Sequence, residues 1–209
     1  MNSFVPVKRK PLLDRVFSLS SIGSSVDEIG ISRLDALVFG VSITEYNEKI
    51  KAYAASCGTN MGTTITVLML TSSRYYIMNV GDTRAYEIGD TVTVLTKDQT
   101  VVAREVELGH LTPEEAEKDS RRSVLLQCIG ASDEVYPDMF FGDTKLNAVY
   151  MLCSDGFRHE ITENEIYQYL NPNVMVDADG MKRNMDSLID LNKQRQERDN
   201  ISAVSIRTF

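Results

Sequence analysis

The segment from Thr63 to Leu95 constrains the fold more than any other part of the chain. It holds runs rich in β-branched and aromatic residues at Thr63–Thr71, Arg74–Val80, Thr83–Ile88 and Thr91–Leu95. Only Ser72-Ser73, Gly81-Asp82 and Gly89-Asp90 stand between them. Such runs suit a pleated, half-buried surface. Gly, Asp and Ser pairs between them are tight-turn signals. The spacing predicts a four-strand antiparallel meander.

Further along, Val149–Cys153 is a short apolar run that reads as a buried strand ending at Ser154-Asp155-Gly156. Ile201–Ile206 reads as a closing strand introduced by Asp199-Asn200. Helical patterns cover Asp98–Glu107, Pro113–Lys118 and Met181–Gln196. Thr112-Pro113 opens the second of these, with Glu114 and Glu115 in its first turn. Thr162-Glu-Asn-Glu165 resembles a capping box, which starts another helix. Between Asp27 and Ala55 the apolar residues Ile29, Leu34, Leu37, Val38, Val41, Ile50 and Tyr53 recur at helical spacing. Thr44–Asn47 there joins or separates two helices, and Gly58 is a stop signal. The first 26 residues form an irregular segment with Pro6, Pro11 and a serine-rich run. Strands interleaved with helix pairs, without strict βαβ alternation, argue for an α+β fold with antiparallel sheets.

Charge narrows the function classes. With 22 Lys+Arg against 30 Asp+Glu the formal net charge is −8, and the isoelectric point is about 4.9. Such a surface repels phosphate backbones and anionic lipid, so neither nucleic acid nor membrane is expected as a partner. At 209 residues the chain suits one domain. No apolar run reaches the roughly 18 residues of a membrane span. Lys8-Arg9-Lys10 and Leu12-Leu13 are followed by Asp14 and Arg15, which break any signal-peptide pattern. These features imply a cytoplasmic protein. Cys57, Cys128 and Cys153 lie far apart in apolar surroundings and read as buried reduced thiols. His110 and His159 have no zinc spacing. His110 reads as a loop residue; His159, shortly after Asp155, reads as a surface helix position, with reach to the rim beside that acid as the alternative. The scattered methionines, among them Met69, Met78, Met139 and Met151, read as core filler. The acidic stretch Glu105–Asp119 reads as a solvated helical face.

Two acids stand out chemically. Asp155 follows one buried strand and Asp199 precedes another. If those strands are neighbours, both carboxylates meet at one rim. Hard oxygen donors so placed suit Mg²⁺ or Mn²⁺. A water on such an ion is acidified and able to attack a phosphoryl centre. Turn residues capping adjacent elements would look the same in sequence, so spacing alone leaves both readings open.

Six strings occur in order: Met61-Gly-Thr-Thr64, Val80-Gly-Asp-Thr-Arg-Ala-Tyr86, Leu95-Thr-Lys-Asp98, Ile129-Gly130, Cys153-Ser-Asp-Gly-Phe157 and Asp199-Asn-Ile201. Together they resemble the PP2C (PPM) family of metal-dependent protein serine/threonine phosphatases, bacterial branch, over residues 27–209. The resemblance implies a PP2C-like sandwich of two antiparallel β-sheets flanked by helix pairs, with a binuclear Mn²⁺ or Mg²⁺ centre at one end. It implies metal-ligand roles for Asp155 and Asp199, and for Asp98 at a third, weaker metal, with Gln99 where the family has a histidine or similar residue. Residues 102–122 would be the variable flap that tunes substrate access. Gly81–Arg84 would be structural, through an Arg–Asp contact within the turn. The implied partner is a phosphoprotein substrate, hydrolysed at phosphoserine or phosphothreonine by direct water attack without a phosphoenzyme.

One family feature has no match. Residues 1–60 contain no Asp-Gly-x-Gly-Gly-His-type string, whose Asp bridges the two metals, and only Arg9 and Arg15 stand near the place of the phosphate-clamping basic residue. The expectation is therefore that the family's N-terminal strands are missing, which would leave a sheet edge open to pairing with another chain. Three readings follow. One is a working phosphatase whose site is completed by a partner chain, a dimer mate or acids such as Asp14, Asp27 or Asp35. The second is an inactive PP2C-like module that binds or regulates a protein partner. The third is an acidic α+β scaffold without chemistry.

Overall fold

The computed structural model describes residues 43–209. The expectations for an irregular N-terminal segment, a helix starting at Asp27 and missing N-terminal strands lie outside the described residues.

Two compact units emerge, one built from the N-terminal side together with residues 128–135. Its described helix, α1, spans Ile43–Ser56. Thr44–Asn47 lie in its first turn, and whether they join or separate two helices turns on residues outside those described. Asn47, only 1% exposed, donates from Nδ2 to the Ser132 carbonyl at 3.0 Å and accepts from the Gly130 N–H at 2.7 Å. Gly130 sits at φ +94°, and a Cβ there would lie 2.2 Å from Ile50 Cγ2. Thr63 and Ile129 exchange two backbone hydrogen bonds of 2.9 Å. The Ile129-Gly130 string is thus a backbone requirement of this unit.

The other unit comprises residues 64–127 and 136–209. Its strands are β1 (Ile65–Leu70), β2 (Arg74–Val80), β3 (Arg84–Ile88), β4 (Val92–Val94), β5 (Asp138–Asp143), β6 (Val149–Cys153) and β7 (Ala203–Arg207). They form two antiparallel sheets, ordered β1-β2-β5 and β4-β3-β6-β7. The expected four-strand meander is therefore two hairpins in different sheets. Ser72-Ser73 and Gly89-Asp90 turn the hairpins as anticipated, but Gly81-Asp82 is a crossover.

Side chains explain why the chain leaves the ladder there. Gly81 N–H donates to Gln99 Oε1 at 2.8 Å, and Asn79 Nδ2 donates to the Gly81 and Lys97 carbonyls, each at 3.2 Å. The backbone groups that a hairpin would pair across strands are satisfied by amides instead. Strand β5 was not anticipated: Met139-Phe140-Phe141 is a short apolar run hemmed by Asp138, Gly142 and Asp143, and it pairs with β2.

Helices α2 (Val101–Glu107), α3 (Pro113–Lys118), α4 (Asp155–Arg158), α5 (Glu163–Leu170) and α6 (Ala178–Gln194) complete the unit. Thr112/Glu115 and Thr162/Glu165 are reciprocal capping boxes, and Asp177 caps α6 through the Gly180 N–H. Helix α2 starts at Val101, because Thr100 is extended and caps the Ala103 N–H while the Gln99 N–H is bonded to the Gly81 carbonyl. The main core joins Tyr86, Ile88, Val149 and Met151 from the second sheet to Phe157, Ile166, Leu170 and Leu188 from α4, α5 and α6. Of the thiols only Cys153 is buried; Cys128 is half-buried and Cys57 exposed. Cys57 departs from expectation because it follows the last turn of α1, beside Gly58 and Thr59. Among the described residues no helix is long and apolar enough to cross a membrane.

Candidate active site

Strands β6 and β7 are antiparallel neighbours with Cys153 opposite Ala203. The turn after β6 and the turn before β7 therefore share one edge. Ser154 latches them: its N–H donates to the Ser202 carbonyl at 2.9 Å, and its hydroxyl donates to the Asn200 carbonyl at 3.0 Å while accepting from Ser202 N–H at 3.1 Å. Gly156 permits the approach, since a Cβ there would lie 2.6 Å from the Asn200 carbonyl oxygen and 3.1 Å from Asp199 Cβ. Asp155 and Asp199 are thus brought to one rim. Asp155 is 3% exposed, opens α4 and accepts from the Gly156 N–H at 3.0 Å. Asp199 accepts from the Asn200 N–H at 2.8 Å.

Asp98 reaches this neighbourhood through two arginines. Arg84 Nε donates to Oδ1 at 2.8 Å and its NH2 to Oδ2 at 2.9 Å. Arg158 NH2 donates to the same Oδ2 at 2.9 Å and to the Asp82 carbonyl at 3.3 Å. The Arg84 ion pair reaches beyond its own turn, to Asp98 in the loop after β4. Burial alone would lower the affinity of Arg84 for its proton, but Asp98 outweighs it and holds the guanidinium firmly charged. Burial pushes the adjacent Cys153 thiol up to about 12 against the opposing pull of Arg158 and Arg84. Gln99, 7% exposed, donates to Asp138 Oδ2 at 2.8 Å besides accepting from Gly81, so its amide is structural.

A third contact was also invisible in sequence. His159 is half-buried just past α4; its side chain is 16% exposed and Nδ1 lies 3.2 Å from Glu197 Oε2. Glu197 Oε1 accepts from the N–H groups of both Arg198 and Asp199 at 2.7 Å. Burial raises the Glu197 carboxyl, yet these backbone donors and His159 prevail and hold it below its ordinary value. The only sequence signal for Arg158, His159 and Glu197 was their place beside the two acidic turns.

The segment from Thr100 to Leu125 leaves and returns at one point, where those two residues form a bridge and Val101 N–H donates to the Val124 carbonyl at 2.9 Å. It carries α2, α3 and exposed His110, whose Nδ1 lies 3.1 Å from Glu105 Oε2. A pocket of about 280 Å³ between this excursion and the arginine cluster is lined by Arg84, Lys97, Asp98 and Glu107 among others.

Two carboxylates at adjoining strand ends fit a hydrated divalent cation, which needs only one or two carboxylates with water completing its shell. Among the described residues no group of three or more His, Cys, Asp or Glu side chains could hold a metal ion. A cation at Asp98 competes with two guanidinium groups for its oxygens.

No family model matches the chain. It is 33% identical over 111 residues to the serine/threonine protein phosphatase PstP of Mycobacterium tuberculosis, covering 53% of this chain and 21% of PstP. It is 32% identical over 132 residues to the serine/threonine phosphatase stp of Listeria innocua, covering 62% of this chain and 52% of stp. The chain thus spans about half the length of one such relative and about a fifth of the other. Among solved structures, the S. agalactiae serine/threonine phosphatase superposes with a TM-score of 0.74 at 25% identity, over 85% of this chain and 72% of that one. The catalytic domain of PstP in complex with two manganese ions gives 0.69 at 25% identity, over 89% of this chain and 73% of that one. The fold is that of bacterial PP2C-type serine/threonine phosphatases.

Proposed function

We propose that this chain is a metal-dependent protein phosphatase domain that hydrolyses phosphoserine and phosphothreonine in protein substrates. The observation that carries this reading is the latching of the Asp155 and Asp199 turns at the common end of β6 and β7. Its relatives named as serine/threonine phosphatases, and the PstP catalytic domain in complex with two manganese ions, support it.

In this reading Asp155 and Asp199 offer oxygen ligands, with Asp155 held by α4 and Asp199 by the turn before β7. Bound there, Mn²⁺ or Mg²⁺ supplies an acidified water as nucleophile. Arg84 and Arg158 share one carboxylate, so their cluster with Asp98 carries one net positive charge and favours an approaching phosphate group. Asp98 assists an outer cation only when the arginines yield an oxygen. The excursion from 102 to 122 acts as the flap that governs substrate access.

Hydrolysis of p-nitrophenyl phosphate and of a phosphothreonine peptide, with and without Mn²⁺, tests the reading. The expected result is Mn²⁺-dependent turnover that Asp155→Asn removes while a cooperative melt persists. A folded wild-type chain without Mn²⁺-dependent turnover overturns it.

A further inference from the structure

The two acidic turns are braced from one short segment, the end of α6 and the turn after it. Asn192, fully buried, donates from Nδ2 to the Phe157 carbonyl at 2.8 Å. Arg195 NH1 donates to the Glu160 carbonyl. Glu197 receives His159 at 3.2 Å on one oxygen and two backbone N–H groups, including that of Asp199, at 2.7 Å on the other. Residues 157–160 continue directly from Asp155, and residue 197 sits two before Asp199. The first two contacts fix the 157–160 turn against α6. Of these three contacts from the α6 end, the Glu197 carboxylate is the one that touches both acidic turns.

We infer that Glu197, oriented by His159, is a positioning residue that sets the separation of the Asp155 and Asp199 carboxylates and so the divalent-cation affinity of the rim. The inference rests on the proposed metal-dependent reading and goes beyond it. A carboxylate suits the task because it accepts several hydrogen bonds at once in fixed directions. With α6 anchored through Asn192 and Arg195, the pair has a rigid base. Groups that hold ligands in this way affect metal affinity by about 10- to 100-fold when removed.

The test is Mn²⁺ binding by titration calorimetry on the full chain, using Glu197→Ala, Glu197→Gln and His159→Gln. Glu165→Ala, which weakens a contact to the same Arg195, serves as a control for general loosening. Each variant is first shown to melt cooperatively. Glu197→Ala is expected to weaken the Mn²⁺ Kd by about 10-fold or more. Glu197→Gln, which keeps one acceptor oxygen, should fall between it and wild type, and Glu165→Ala should match wild type. Should Glu197→Ala fail to fold, His159→Gln decides, with an expected weakening of several-fold. Equal Kd values in wild type and the folded Glu197 or His159 variants overturn the positioning role alone. Absence of Mn²⁺ binding in the wild type overturns the metal-dependent reading and this inference together.

Discussion

Arg158 and Asp98 are joined across 60 residues of sequence, the guanidinium of one lying 2.9 Å from the Oδ2 of the other, on an oxygen that Arg84 also holds. The three side chains tie the start of β3, the loop after β4 and the end of α4 together. Their side chains are 30%, 10% and 15% exposed for Arg84, Asp98 and Arg158. Removing the shared acid leaves two half-buried cations facing each other, which costs more than removing either partner. Asp98→Asn is expected to lose about 3 kcal/mol of stability and Arg158→Leu about 1–2 kcal/mol. Urea denaturation of both single variants and the double variant should show coupling of about 1 kcal/mol. Strict additivity would mean that the contact carries no energy.

Gly81 is where the chain passes from one sheet to the other. At φ +110°, a Cβ would lie 2.2 Å from Thr64 Cγ2 and 2.6 Å from Thr64 Cβ. Shortening Thr64 to serine leaves the second clash and the backbone strain in place. Gly81→Ala is therefore expected to cost about 3 kcal/mol, with little rescue from Thr64→Ser, as read from urea midpoints. A neutral Gly81→Ala would contradict the tight crossover.

These residues also mark where sequence reasoning succeeds and stops. Gly89-Asp90 and Gly81-Asp82 are the same kind of turn signal, flanked by the same kind of strand. What separates hairpin from crossover is the reach of Asn79 and Gln99 to backbone groups nearby, which no local pattern encodes. The shared rim of Asp155 and Asp199 was legible as a condition, because each acid terminates a continuous apolar run and the runs are neighbours. The contacts around those two turns were not legible. Arg158 ends the short helix α4, and His159 and Glu197 lie just outside helices α4 and α6, where charge looks like solvent exposure until the packing turns them inward. Strand β5 escaped notice because only Met139, Phe140 and Phe141 carry its apolar signal.

Thiol chemistry follows the same division between exposed and enclosed positions. Cys57 is exposed on the turn after α1, whereas Cys153 is buried with its thiol pushed up to about 12 by that burial. The thiolate is the reactive form. At pH 8 the native protein is expected to alkylate at Cys57 first, with Cys153 at least about 100-fold slower until denaturant is added. Peptide mapping after a short iodoacetamide pulse reads this out. Equal labelling of Cys57 and Cys153 in the folded chain would contradict the burial.

Glu165 gives a pH dependence whose sign can be worked out. It closes the capping box of α5 and receives Arg195, whose NH1 lies 2.9 Å from Oε2. Arg195, aided by the Thr162 N–H, lowers the Glu165 carboxyl from 4.5 to about 2. A carboxyl lowered on folding adds stability that is complete above its unfolded value and is lost as the pH falls through the folded one. The affected window therefore runs from about 4.5 down to about 2. Because the pair lies near the surface, screening keeps its worth to about 0.5 kcal/mol. Glu165→Gln keeps the box geometry and removes the charge, so at pH 7 it should be less stable than wild type by that amount. The gap should close as the pH falls from 5 towards 2, since the wild-type carboxyl then becomes neutral too. Urea midpoints at several pH values measure it, and a gap that persists undiminished at low pH would mean that the lowered carboxyl contributes nothing.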